Sequence, residues 1–172
     1  MNQKTKTAYE AAVTMLSRHL MSEGELRSKL YDKKKWHSSE IEAAIQSLKK
    51  IAAVKDESLI IDYINSLKKR GYGPAKIKLE LKKRRFQPEL IEKNMSKTQE
   101  DDVFYDSLND EDAARIALHR KEKIFLAESD PYKRRTKAMR YLMSRGFNGD
   151  TIRIVYEEWC RKINLPDGDD IP

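Results

Sequence analysis

Lys69-Arg70-Gly71-Tyr72-Gly73-Pro74-Ala75-Lys76-Ile77-Lys78-Leu79-Glu80-Leu81 is the stretch that decides the fold. Two basic residues end one helix, a Gly-Tyr-Gly turn redirects the chain, and Pro74 opens a second helix, where its missing N–H removes no bond. Gly71 and Gly73 are expected to supply the φ > 0 freedom of the turn. Beyond it, Ile77 and Leu81 stand at i and i+4, the inward stripe of a helix. Phe86 follows in a further turn, and Gln87-Pro88 starts a third helix carrying Ile91 and Met95.

The same apolar marks return 61 residues later. Ile77, Leu81, Phe86, Ile91 and Met95 map onto Ala138, Leu142, Phe147, Ile152 and Tyr156, apolar or aromatic at every step. An earlier set, Leu26, Leu30, Trp36, Ile41 and Ile45, has one extra residue before its aromatic. In each set a helix ends near basic residues, and a new one starts after Ser38-Ser39, Gln87-Pro88 or Asn148-Gly149-Asp150. A preceding helix, at 7–20, about 57–70 and about 110–126, completes each set. Ser22 with Glu25 reads as a capping box for the second helix. Period-two alternation is absent, and six glycines with five prolines leave few turns.

The reading is an all-α chain of three tandem three-helix repeats. Repeat 1 takes residues 1–54 and repeat 2 takes 55–98. Residues 99–163 hold an acidic connector plus repeat 3, and 164–172 form an acidic tail that reads as disordered. Repeats this small lean on their neighbours. The expected repeat core is Leu26, Leu30, Trp36 and Ile41, then Ile77, Leu81, Phe86 and Ile91, then Leu142, Phe147 and Ile152, with the aromatics as plugs between helices. The six methionines read as core, and Glu100-Asp101-Asp102 in the connector marks the expected hinge.

Composition narrows the function. Of 172 residues, 39% are hydrophobic and 37% charged, which suits thin amphipathic elements with much solvated surface. No apolar run approaches the ~18 residues of a membrane span. The start leads into no apolar signal region, so the expected location is cytoplasmic. A single cysteine, Cys160, excludes an internal disulfide and a cysteine-rich zinc site. There is no Gly-x-x-x-x-Gly-Lys phosphate loop and no Gly-x-Gly-x-x-Gly fingerprint. His19, His37 and His119 stand apart, and Asp110-Glu111-Asp112 reads as acids opening a helix. The expectation is a monomer with no enzymatic activity, no cofactor and no metal.

Charge points to a partner. The chain carries a net +7, and it is unevenly spread. The connector region 99–130 is acidic, whereas Arg70, Lys76, Lys78, Lys82, Lys83, Arg84 and Arg85 crowd the second repeat around a lone Glu80. Lys78, Lys82 and Arg85 form a stripe at i, i+4 and i+7, with Lys76 and Lys83 on the opposite flank. The third repeat has its own set, Lys133, Arg134, Arg135, Lys137, Arg140 and Arg145, in which Lys133, Lys137 and Arg140 share one face. Such fields attract nucleic acid or an acidic protein surface. Two patches on either side of an acidic connector could grip two neighbouring points of a repetitive target.

The Gly71-Tyr72-Gly73-Pro74 segment, with the helix bearing Ile77, Glu80 and Leu81, closely resembles the middle repeat of the bacterial RecX family. Ser22-x-x-Glu25-Leu26-x-x-Lys29-Leu30 resembles that family's first-repeat signature. Leu142-Met143-Ser144-Arg145-Gly146-Phe147 with Ile152 resembles its third. The match runs from about residue 8 to 159. Two departures stand out: Ile51-Ala52-Ala53-Val54-Lys55-Asp56-Glu57 lacks the glycine usual between repeats one and two, and Arg84-Arg85-Phe86 replaces a usual Gly and Ile.

The resemblance implies an elongated, curved molecule and a regulator of the RecA recombinase, hence of DNA repair and the SOS response. Such a regulator binds RecA and its filaments on single-stranded DNA and suppresses ATP hydrolysis, strand exchange and co-protease activity. The basic sets would then meet acidic RecA surface or filament phosphates. A second reading stays open: the last two helices of each repeat could form a helix-turn-helix that binds duplex DNA directly. Its would-be reading helices carry few base-reading groups, with Glu89, Glu92, Lys93 and Asn94 in repeat 2, and Arg153 and two glutamates in repeat 3. An RNA-binding adaptor is a third.

Overall fold

A computed structural model describes residues 6–97 and 108–164. The expected hinge at Glu100-Asp101-Asp102 and the tail from 165 onward lie outside the described residues.

Nine helices and no strand occur among the described residues, and most start where a local signal places them. α1 (Ala8–Leu16) opens at Thr7, whose hydroxyl accepts the Glu10 N–H while the Glu10 carboxylate accepts the Thr7 N–H. α2 (Glu23–Asp32) is capped by the Ser22 hydroxyl. α3 (Ser38–Lys50) begins after His37, whose N–H donates to Glu40 at 2.7 Å. α4 spans Asp56–Lys69, and Pro74 and Pro88 open α5 (Pro74–Lys83) and α6 (Pro88–Lys97). Asn109, Asp130 and Asn148 cap α7 (Asp110–Leu126), α8 (Pro131–Ser144) and α9 (Gly149–Lys162).

Two local expectations change. The first helix ends at Leu16 rather than 20, since Ser17 closes it and the chain turns away. Ser22 caps without a reciprocal box, because the Glu25 carboxylate bonds Lys29 at 2.9 Å.

The chain packs as two compact units. One comprises Met1–Asp62 and Glu80–Asn94, the other Tyr63–Leu79 and Met95–Pro172. Their divisions fall inside α4, α5 and α6, not at the connectors between repeats. In the first unit Ala12, Leu26, Leu30, Ile41, Ile45 and Leu48 form the heart of the core. Trp36 is only partly buried against it and donates its indole N–H to the Lys6 carbonyl. The extra residue in its turn leaves it at the rim. Phe86 and Phe147 are buried, as are Ile77, Leu81, Ile91, Leu142 and Ile152.

The second unit is built on small residues. Ala113, Ala114 and Ala117 on α7 and Ala138 on α8 let helices approach closely. Phe125 fills the remaining space against Tyr141 and Trp159, with ring centroids 5.7 and 6.4 Å away. Cys160 is buried in the same core. No helix among the described residues is long and apolar enough to cross a membrane.

Candidate functional site

Each unit contains one joint in which the turn after a repeat's second helix seats at the entrance of the second helix of the repeat before it. In the second unit the turn is Arg145-Gly146, between α8 and α9, and the entrance is that of α5. The Gly73 N–H donates to the Arg145 carbonyl at 2.9 Å, and the Ala75 N–H donates to the Gly146 carbonyl at 3.2 Å. The Arg145 guanidinium donates to the Gly71 and Arg70 carbonyls at 3.0 and 2.6 Å and lies over the Tyr72 ring at 4.3 Å. Arg120 donates to the Arg70 and Lys69 carbonyls at 2.8 and 3.1 Å. Two arginines from α7 and the α8 end thus satisfy carbonyls at the end of α4 that no helical partner reaches.

In the first unit the turn is Arg84-Arg85, between α5 and α6, and the entrance is that of α2. The fully buried Ser22 hydroxyl donates to the Arg84 carbonyl while accepting the Glu25 N–H. The Arg84 guanidinium donates to the Leu20 carbonyl at 3.3 Å and stands 3.5 Å from the Glu25 carboxylate.

Glycine makes both seats. A methyl at Gly24 would overlap the Arg85 carbonyl, and one at Gly73 would overlap the Gly146 carbonyl. Only Gly71 of the expected turn pair has positive φ, at 71°. Gly73 is required for close approach, so the expected reason for it is corrected. Pro74 opens α5 as expected.

These joints sort the basic residues. Arg84 and Arg145 are half-buried and engaged in joints. Arg134, expected among the exposed cations, is 4% exposed; it donates to the Glu128 carbonyl at 3.3 Å. Burial pushes the Tyr156 phenol up to about 12, the Cys160 thiol adds to this, and Arg134 opposes it. Arg134 fills an internal polar position because its place on α8 turns toward α9. Lys76, Lys78 and Arg135 are half-buried. Arg70, Lys82, Lys83 and Arg85 are exposed, with Lys83 held by Glu80 at 2.8 Å.

The outer face of α8 also keeps available charge. Lys133, Lys137 and Arg140 are exposed there, and neither Lys137 nor Arg140 has an ion pair among the described residues. Lys133 stands a loose 3.8 Å from Asp130. Tyr132 and Met143 bracket the face at 67% and 65% exposure. Sequence reading missed both: Met143 sits one position past buried Leu142, about 100° round the helix, off the core stripe. Among the described residues no group of three or more His, Cys, Asp or Glu could hold a metal ion.

Helical repeats joined through backbone contacts, with cations left facing solvent, define a scaffold of the tandem three-helix class. The comparisons give that scaffold its family. Residues 8–48 match the RecX first three-helix domain and residues 109–156 match the RecX third three-helix domain. The regulatory protein RecX of Legionella pneumophila (strain Corby) is 30% identical, covering 88% of this chain and 93% of its own. That of Clostridium beijerinckii is 31% identical, over 94% of this chain and 70% of its own. The crystal structure of RecX from Lactobacillus salivarius superposes with a TM-score of 0.70 at 22% identity, over 88% of this chain and 93% of that one, and supports the fold. The chain belongs to the RecX family, a family of regulatory proteins.

Proposed function

We propose that this protein regulates RecA by binding RecA and its filament on single-stranded DNA, thereby suppressing ATP hydrolysis, strand exchange and co-protease activity. It would do so as a monomer in the cytoplasm, without enzymatic activity or cofactor, setting the extent of DNA repair and of the SOS response. Family membership supports the reading. The structural observation that carries it is the outer face of α8, where Lys137 and Arg140 have no ion pair among the described residues and stand ready for an acidic partner. The exposed Lys82 and Arg85 supply further positive charge on the second repeat.

The test is steady-state ATP hydrolysis by the cognate RecA on single-stranded DNA, with this protein titrated in. Inhibition well below equimolar protein is expected, weakening as salt rises. Replacing Lys133, Lys137 and Arg140 together with Glu should raise the inhibitory concentration by about tenfold or more and flatten its salt dependence. No inhibition by the unaltered protein, with tight binding to duplex DNA in parallel, would instead assign it to direct duplex recognition. Geometry weighs against that outcome: on α9, Arg153 is tied to Glu157 at 3.4 Å and Glu158 is tied to Arg115 at 2.9 Å.

A further inference from the structure

The first unit carries a groove that its joint does not use. α1 ends at Leu16, and the loop from Ser17 to Met21 leads the chain to the cap of α2. Between that loop and one face of α2 lies a groove of about 250 Å³. Its apolar lining is Met15, partly buried, and Met21, 4% exposed, both packed on the core of the unit. Its rim is charged. Lys29, Asp32 and Lys33 stand at i, i+3 and i+4 along α2 and its C-cap, and Arg18 comes from the loop. Lys29 is held by Glu25 at 2.9 Å, whereas Arg18, Lys33 and Asp32 are exposed and without an ion pair among the described residues. Leu20, next to lining Met21 in the chain, is 70% exposed, more than any other large hydrophobic side chain among the described residues.

We propose that this groove docks an acidic segment of a partner protein, which lays one large apolar side chain on the methionines and carboxylates on Arg18 and Lys33. Volume sets the size of the occupant. Sites that enclose a small molecule run to roughly 300–1,000 Å³, so this groove fits a single anchoring side chain with its flanks. Flexible thioethers mould themselves to such an anchor, and Leu20 adds exposed apolar surface beside it. The two unpaired cations call for carboxylates next to the anchor. Asp32 calls for a donor, which a peptide supplies as a main-chain N–H. A nucleic-acid backbone would answer Arg18 and Lys33 but bring its own charge against Asp32, and no aromatic ring lines the groove for a base to stack on.

This inference rests on RecA being the partner and assigns the first repeat its contact. The experiment measures binding of the full chain to RecA filaments on single-stranded DNA and to bare single-stranded DNA. R18E/K33E should lose about tenfold or more on filaments. K50E/K55E makes the same change in net charge at exposed lysines outside the groove, and should stay within about threefold of the parent. At unchanged charge, Met15→Ser should lose about fivefold or more and Met15→Leu should stay within about twofold. Leu20→Ser tests the same apolar contact without a folding cost, because that side chain already faces solvent, and should lose about threefold or more. The proposal is overturned if the two double variants lose alike, since a diffuse positive field would then suffice. It is equally overturned if Met15→Leu fares no better than Met15→Ser, or if Leu20→Ser binds as the parent does. A loss by R18E/K33E on bare DNA matching that on filaments would assign the groove to nucleic acid and overturn it too. A parent that fails to bind filaments overturns the RecA reading and this assignment with it, whereas a parent that binds beside an unaffected R18E/K33E overturns only the groove.

Discussion

The two joints do the same job with different chemistry. The Arg145-Gly146 joint is main chain on main chain, with two N–H to carbonyl bonds beneath an arginine clamp. The Arg84-Arg85 joint has one buried serine hydroxyl and one half-exposed arginine, beside a carboxylate. Main-chain bonds between short, rigid segments hold one geometry. Side-chain bonds can lengthen, rotate or exchange with water at little cost. The second unit should therefore hold its joint rigidly, and the first should tolerate opening.

The glycines test this hardest. Gly73 lies outside α5, so Gly73→Ala gains no helix propensity, and its methyl meets the Gly146 carbonyl. It should cost roughly 1–3 kcal/mol in urea unfolding. Gly24 lies inside α2 and meets the Arg85 carbonyl just as closely. There, Ala regains up to about 1 kcal/mol of helix propensity and the joint can give, so a net loss below about 1 kcal/mol is expected. Equal losses at the two sites would mean that the joints are equally rigid, and would end the distinction.

The arginines come next. Arg145→Ala removes a clamp on two carbonyls and a ring contact, and should destabilise by about 2 kcal/mol. Arg84→Ala, losing a 3.3 Å bond from a side chain 36% exposed, should cost less than about 1 kcal/mol. The folded Arg145→Ala protein should inhibit RecA with an unchanged salt dependence, since its guanidinium faces the chain's own carbonyls. A reduced salt slope would return Arg145 to the binding surface.

That arginine shows where sequence reading stops. The repeat is legible because its stripe recurs residue for residue: Leu81 and Phe86, Leu142 and Phe147 are fixed by burial, which periodicity reports directly. Helix starts at Pro74, Pro88 and Asn148 follow from local chemistry. The role of a cation does not, because its acceptor lies in another repeat. Arg145 bonds a carbonyl 74 positions away, and nothing in Ser144-Arg145-Gly146 separates it from solvent-facing Arg140. Arg134 looks no different in sequence from its neighbours Lys133 and Arg135, because three basic residues in a row do not reveal which one turns inward. Gly24 looks like a poor helix residue until the Arg85 carbonyl fills the space a side chain would take. The candidate surface is thus legible as a region, and its members are sorted only by packing.

The smallest expected effect is a difference in acid sensitivity. The first joint stands beside carboxylates. Glu23, at the start of α2, is raised by burial but more strongly lowered by bonds from Lys49 and Arg27, so it ends below its ordinary 4.5. Glu42 is lowered by its bond from Arg27. For both, the folded form holds its proton less tightly than the unfolded chain, so their stabilisation is complete above about pH 4.5 and is lost as pH falls through the lowered values. Asp56 runs the other way. It accepts the Glu23 N–H at 2.9 Å, yet burial raises it above 3.8, so lowering the pH relieves a penalty there. Among the described residues, the Gly73 and Ala75 N–H groups at the entrance to α5 donate to main-chain carbonyls rather than to a carboxylate. Hydrogen exchange should therefore show the amides at the start of α2 losing protection below about pH 4.5 before those of Gly73 and Ala75 do. Asp56→Asn should steepen that loss by removing the opposing titration, and raise stability slightly near neutrality. If the Gly73 and Ala75 amides open first, the main-chain joint is the weaker of the two, and the contrast between them is reversed.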